Sequence, residues 1–96
     1  MISMQIPDEF FDLCLYLHQD SFYVYGTEPK DIAAGAIKHM SKAQKQTLAA
    51  FLDELLTGNY SEDQLQEIYR RGDPEISFLP MRYFFGLVRD TINRGT

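Results

Sequence analysis

The chain has 96 residues, 45% of them apolar, with seven Phe, six Tyr and one Cys, and 14 acidic side chains against nine basic ones give a net charge of −5. That length is one domain, able to bury roughly 60–70% of its unfolded surface, and the apolar share excludes disorder. The acidic balance argues against a nucleic-acid surface, which needs clustered bases, and a lone cysteine excludes an internal disulfide.

The start Met1-Ile2-Ser3-Met4-Gln5 carries no Lys or Arg, so it lacks the basic opening of a secretory signal. The longest mostly apolar run, Phe10 to Leu17, is interrupted by Asp12 and is far short of the ~20 residues that span a bilayer. A reducing, cytoplasmic setting without a membrane is therefore expected.

A first helix is expected from about Asp8 to His18. Pro7 and the pair Asp8-Glu9 suit its positive dipole end. Phe10, Phe11, Leu13, Cys14, Leu15, Tyr16 and Leu17 leave little polar face, which predicts a helix central in the core. Residues 19–27 break the pattern. Phe22-Tyr23-Val24-Tyr25 has strand propensity but no strand partner in the chain, so an extended, partly packed aromatic loop ending at Gly26 is expected.

Thr27 is the expected N-cap of a second helix, with Pro29 in its first turn and Ile32, Ala33, Ala36, Ile37 and Met40 as its apolar stripe. Ser41 and Gln44 have capping-box spacing and open a third helix. Leu48, Phe51, Leu52, Leu55 and Leu56 follow the helical rule, and Gly58 is expected as a left-handed C-cap. Ser61 and Gln64 repeat the box, with Tyr60 and Leu65 at the staple positions. Leu65, Ile68 and Tyr69 form the inner side of a short fourth helix stopped by Gly72. A last helix is expected from about Leu79 to Asn93, with Pro80 in its first turn and Met81, Phe84, Phe85, Val88 and Ile92 inward. The fold class is all-α: one domain over residues 1–96, a compact bundle of about five helices with one extended aromatic loop after the first.

Signals for chemistry are sparse. Cys14 and His18 are four apart, the spacing of a nucleophile and base or of half a metal site, but no CxxC, HExxH or second Cys supports either. A buried Cys and a helix-end His is the simpler account. Asp8, Glu9 and Asp12 are more simply dipole partners than an acid–base pair. No phosphate loop or GxSxG is present. Neither catalysis nor a metal or cofactor is expected. His18-Gln19-Asp20 reads as a polar clasp on the aromatic loop. The competing reading exposes Asp20, Tyr23 and Tyr25 to a partner.

Charge is segregated along the chain. Residues 1–29 hold Asp8, Glu9, Asp12, Asp20 and Glu28 without a base, and residues 51–67 hold Asp53, Glu54, Glu62, Asp63 and Glu67 without one. Solvated helix faces explain this blandly. The sharper expectation is an acidic surface that steers a basic protein.

Tyr16-Leu17-His18-Gln19-Asp20, the aromatic stretch ending in Tyr25-Gly26, and Glu28-Pro29 opening a helix together resemble the immunity proteins of bacterial contact-dependent growth inhibition systems. The order that follows is similar too: a Leu-rich capped helix, the Tyr60-Ser61-Glu62 entry to a short helix, and a final aromatic helix. The resemblance spans about residues 8–94, although Tyr69 stands where the family often has Trp. It implies a cytoplasmic protein, not an enzyme, that binds and neutralises the C-terminal toxin domain of a cognate effector. Such toxins are commonly nucleases with basic grooves, which the segregated acids would suit. A small acidic regulatory or adaptor subunit is the alternative binding role, and a small hydrolase using His18 and His39 is the alternative from another class.

Overall fold

Two serines set the helix boundaries in the middle of the chain. Ser41 Oγ accepts the Gln44 backbone N–H at 3.2 Å while Gln44 Oε1 accepts the Ser41 N–H at 2.8 Å. Ser61 and Gln64 repeat the pair at 3.1 and 2.8 Å. Each box satisfies two amides that the first helical turn leaves without partners. The computed structural model describes residues 5–18, 25–26 and 28–95. Among them lie five helices: α1 Asp8–Leu15, α2 Pro29–Ile37, α3 Lys42–Thr57, α4 Glu62–Arg70 and α5 Met81–Gly95, and no strand. The all-helical bundle is as expected from the sequence. The clasp residues Gln19 and Asp20, the aromatics Phe22 and Tyr23, and Thr27 lie outside the described residues.

Helix α5 is the central element, packed against α2, α3 and α4, while α1 packs on α2 and α3. Three helices meet through aromatic edges: Phe10 of α1 lies 5.5 Å from Phe51 of α3 and 5.9 Å from Phe85 of α5, centroid to centroid. Phe78 stacks on Phe84 at 3.8 Å. Phe10, Leu48, Leu52, Leu55, Leu65, Ile68, Phe84 and Phe85 are fully buried, and each such side chain is worth about 1.5–3 kcal/mol of hydrophobic transfer. The predicted stripes of α2, α4 and α5 are all inside. In α3, Leu48, Phe51, Leu52 and Leu55 are buried and Leu56 is half-buried. The Cα radius of gyration is 12.3 Å.

Several boundaries differ from the sequence expectation. Helix α1 ends at Leu15, short of His18, and is not central: Phe10, Leu13, Cys14 and Leu17 are buried, but Leu15 is 70% exposed and Phe11 38%. A peripheral helix buries one face however apolar the other is. Glu28 occupies the N-cap position of α2, in extended conformation and with no capping hydrogen bond from its side chain. Pro29 at the next position disfavours helical φ/ψ at residue 28, which fixes the boundary there. Gly58 is extended (φ −77°), not left-handed, and Gly72 has no positive φ either. The left-handed residue after α4 is Asp73 (φ 55°), a type that tolerates that region. Helix α5 begins at Met81, after Pro80, and Leu79 before it is 83% exposed.

Candidate functional site

The acids of residues 51–67 lack bases in sequence but not in space. Arg89 of α5 reaches Asp53 of α3 at 3.0 Å and its own neighbour Asp90 at 3.1 Å. The hydrogen bond that Arg89 donates to Asp90, reinforced by Asp53, holds the guanidinium pKa above its ordinary value despite some desolvation. Arg82 donates to the carbonyls of Leu56 at 3.0 Å and Tyr60 at 2.6 Å, at the end of α3 and just before α4. Arg71 lies 3.7 Å from Glu67, an i,i+4 pair on the surface at the end of α4.

Glu62 departs most from the expected role. It sits in the first turn of α4, yet its carboxylate accepts the backbone N–H groups of Met81 (2.5 Å) and Arg82 (3.2 Å) and the Gln66 amide (2.9 Å). Gln66 also donates to the Phe78 carbonyl at 2.9 Å. Glu62 therefore caps α5 from a different helix. Burial alone would raise its pKa. The Met81 amide, Gln66, the Arg82 amide and the Arg82 charge outweigh it and hold the carboxyl below its ordinary value. Of the five acids expected on this surface, Glu54 and Asp63 are exposed and form no ion pair among the described residues.

A second surface lies on the outer side of α1. Asp8, Phe11, Asp12 and Leu15 fall at i, i+3, i+4 and i+7, opposite the buried set. Two exposed apolar side chains thus share one stripe with two carboxylates. Sequence reasoning placed Phe11 and Leu15 in the core. The spacing of Asp8 and Asp12 could have marked this as the outward stripe, because a peripheral helix turns its acids to water.

Among the remaining expected contact residues, Glu28 is exposed and pairs with Lys30 at 3.4 Å. Tyr25 is half-buried on the outer side of α2, where Gly35 makes room for it: a Cβ at Gly35 would lie 2.2 Å from the Tyr25 ring. Asp20 and Tyr23 cannot be joined to this surface, since they lie outside the described residues. At the other end of the chain Tyr83 is 58% exposed on α5.

Cys14, Leu15, Leu17, His18, Asp73 and Glu75 line a cleft of about 420 Å³. The Glu75 amide donates to the Leu17 carbonyl at 2.8 Å and ties its two walls. Burial pushes the Cys14 thiol up to about 12, so it stays protonated at neutral pH and is a poor nucleophile. His39, the other histidine, stacks on Tyr16 at 4.0 Å. Among the described residues no group of three or more His, Cys, Asp or Glu is placed to hold a metal ion. No described helix is long and apolar enough to cross a membrane. Comparison of the chain with protein-family models, with curated proteins and with solved structures found no match.

Proposed function

We propose that this protein works by binding another protein, and that its partner is the C-terminal toxin domain of a contact-dependent growth inhibition effector, which it neutralises in the cytoplasm of the producing cell. The sequence resemblance supplies the identity of the partner. The observation that supports a binding role is the outer face of α1, where Phe11 and Leu15 are exposed on the same stripe as Asp8 and Asp12. Apolar anchors rimmed by charge are the usual make-up of a recognition patch. The exposed carboxylates of Glu54 and Asp63, on other helices, add charge of the sign that the basic groove of a nuclease would take.

Asp53 and Glu62 are poor probes of that surface, because reversing them would break the Arg89 contact and the cap of α5. The informative variant is Asp12→Lys/Glu54→Lys/Asp63→Lys. Co-expressed with the toxin domain encoded beside it, the wild type should restore growth and co-purify with the toxin. The triple reversal should keep the helical spectrum but bind more slowly and protect less. Full protection with unchanged kinetics would place the interface elsewhere. A wild type that neither binds nor protects against that toxin would sink the immunity reading.

A further inference from the structure

The cleft at the end of α1 carries one sign of charge. Asp73 and Glu75 stand exposed on one wall, and Cys14, Leu15, Leu17 and His18 form the other. No Lys or Arg is among its lining residues. The last turn of α1, which supplies Cys14 and Leu15, holds no basic side chain to offset the negative end of the helix dipole. The two arginines nearest in sequence lie outside the cleft. Arg71 is 3.7 Å from Glu67, and Arg70 lines a separate cleft on Asp73 with no ion pair to it among the described residues.

The walls are fixed before any ligand arrives. The Glu75 amide donates to the Leu17 carbonyl at 2.8 Å, the Asp73 amide donates to the Arg70 carbonyl at 3.0 Å, and Gly72 packs directly on Cys14. A preformed site loses less in ordering when it binds. Leu15 belongs both to this cleft and to the exposed Phe11/Leu15 stripe, so cleft and stripe form one continuous surface. We infer, on the reading of the protein as a binder of a basic toxin domain, that the cleft receives an arginine side chain of that partner, its guanidinium at Asp73 and Glu75 and its methylenes along Leu15. An exposed ion pair alone contributes little. The arginine stem adds apolar contact with Leu15 that a small cation lacks. The planar guanidinium has five donors to share between two carboxylates, where lysine offers a point charge.

Titration of the whole isotope-labelled chain with N-acetyl-arginine amide, followed by NMR, tests this without the toxin. The backbone amides of His18, Asp73 and Glu75 should shift saturably with a Kd of about 1–10 mM, and N-acetyl-glycine amide, which lacks the cation, should leave them unmoved. Asp73→Asn/Glu75→Gln removes both charges. Asn tolerates the left-handed φ at residue 73, and the Glu75 bond to Leu17 is made by the backbone, so the helical spectrum should be unchanged while the Kd rises at least ~tenfold. No saturable shift at these amides overturns the proposal, and so does equal affinity in the double variant. Against the toxin domain the same variant should bind at least ~tenfold more weakly than the wild type. A toxin bound equally by both overturns the cleft contact and leaves the immunity reading standing. A wild type that takes the arginine amide but not the toxin supports the cleft and sinks that reading.

Discussion

Glu62 and Met81 are joined across 19 residues of chain: the carboxylate in the first turn of α4 accepts the first backbone N–H of α5. The same carboxylate takes the Arg82 amide, and the Arg82 guanidinium reaches back to Leu56 and Tyr60. The entry to α5 and the connection from α3 to α4 are thereby closed by reciprocal bonds. This contact fixes where the central helix begins.

Replacing Glu62 with Ala leaves those amides to water and removes a helix cap. The expected loss is about 0.5–2 kcal/mol in urea unfolding. Glu62→Gln should fall between, since it keeps one acceptor oxygen and loses the charge. The pH dependence has a definite sign. The folded-state pKa of Glu62 lies below its ordinary value of 4.5, so the stabilisation is complete above the unfolded-state value and is lost as pH falls through the folded one. The melting-temperature gap between wild type and Glu62→Gln should therefore be full at neutral pH and shrink in acid below the ordinary carboxylate range. A gap independent of pH would mean that the charge is not what caps α5.

Gly72 and Cys14 meet at the junction of α4 with α1. A Cβ on Gly72 would stand 2.3 Å from Cys14 Sγ and 2.7 Å from its Cβ. Neither atom can swing clear, because Cys14 is buried. Gly72→Ala should cost about 1–3 kcal/mol, the range for overpacking a filled core. Equilibrium unfolding checks this, and an unchanged midpoint would show that the two segments are not pressed together.

The cysteine itself should be inert in the folded chain. Its thiol is buried and its pKa is pushed up to about 12, and only the thiolate reacts. Labelling by a thiol reagent near pH 8 should be slow in buffer and fast in denaturant. Equal rates would restore Cys14 as a candidate reactive group.

What the sequence made legible was local. The capping boxes at Ser41/Gln44 and Ser61/Gln64 span four residues each, and the stripe Met81, Phe84, Phe85, Val88, Ile92 is a one-helix pattern. Illegible were relations between distant segments. Arg89 lies 36 residues from Asp53 and Glu62 lies 19 from Met81, so acids in base-free stretches met bases and amides only on folding. Residues 10–17 misled for another reason: the segment is apolar nearly all round, and only the Asp8–Asp12 spacing marks which side is outward. The glycines misled similarly, because a sequence shows that a Cβ is missing but not whether backbone angle or space demands it. The acids Glu54 and Asp63 were read correctly as solvent-facing because the buried residues on either side of them fixed their direction.

Gly35 and Tyr25 give a test whose sign reverses. The three atoms nearest a Cβ at Gly35 all belong to the Tyr25 ring, at 2.2–2.7 Å. Gly35→Ala in the natural chain gains helix propensity, up to about 1 kcal/mol, but must expel that ring. Losing a packed aromatic contact costs about 1–3 kcal/mol, so the net effect should be destabilising. With Tyr25→Ala already in place the obstruction is gone. Gly35→Ala should then stabilise by about 0.4–1 kcal/mol, the usual gain from replacing an unstrained glycine. Urea unfolding of the four chains in this double-mutant cycle isolates the contact, because the propensity term appears in both backgrounds and cancels. A coupling near zero would mean that Tyr25 does not rest on α2. A coupling of about 1 kcal/mol or more would establish that it does, and would make Gly35 the anchor of the chain that leads from residues 19–24 into α2.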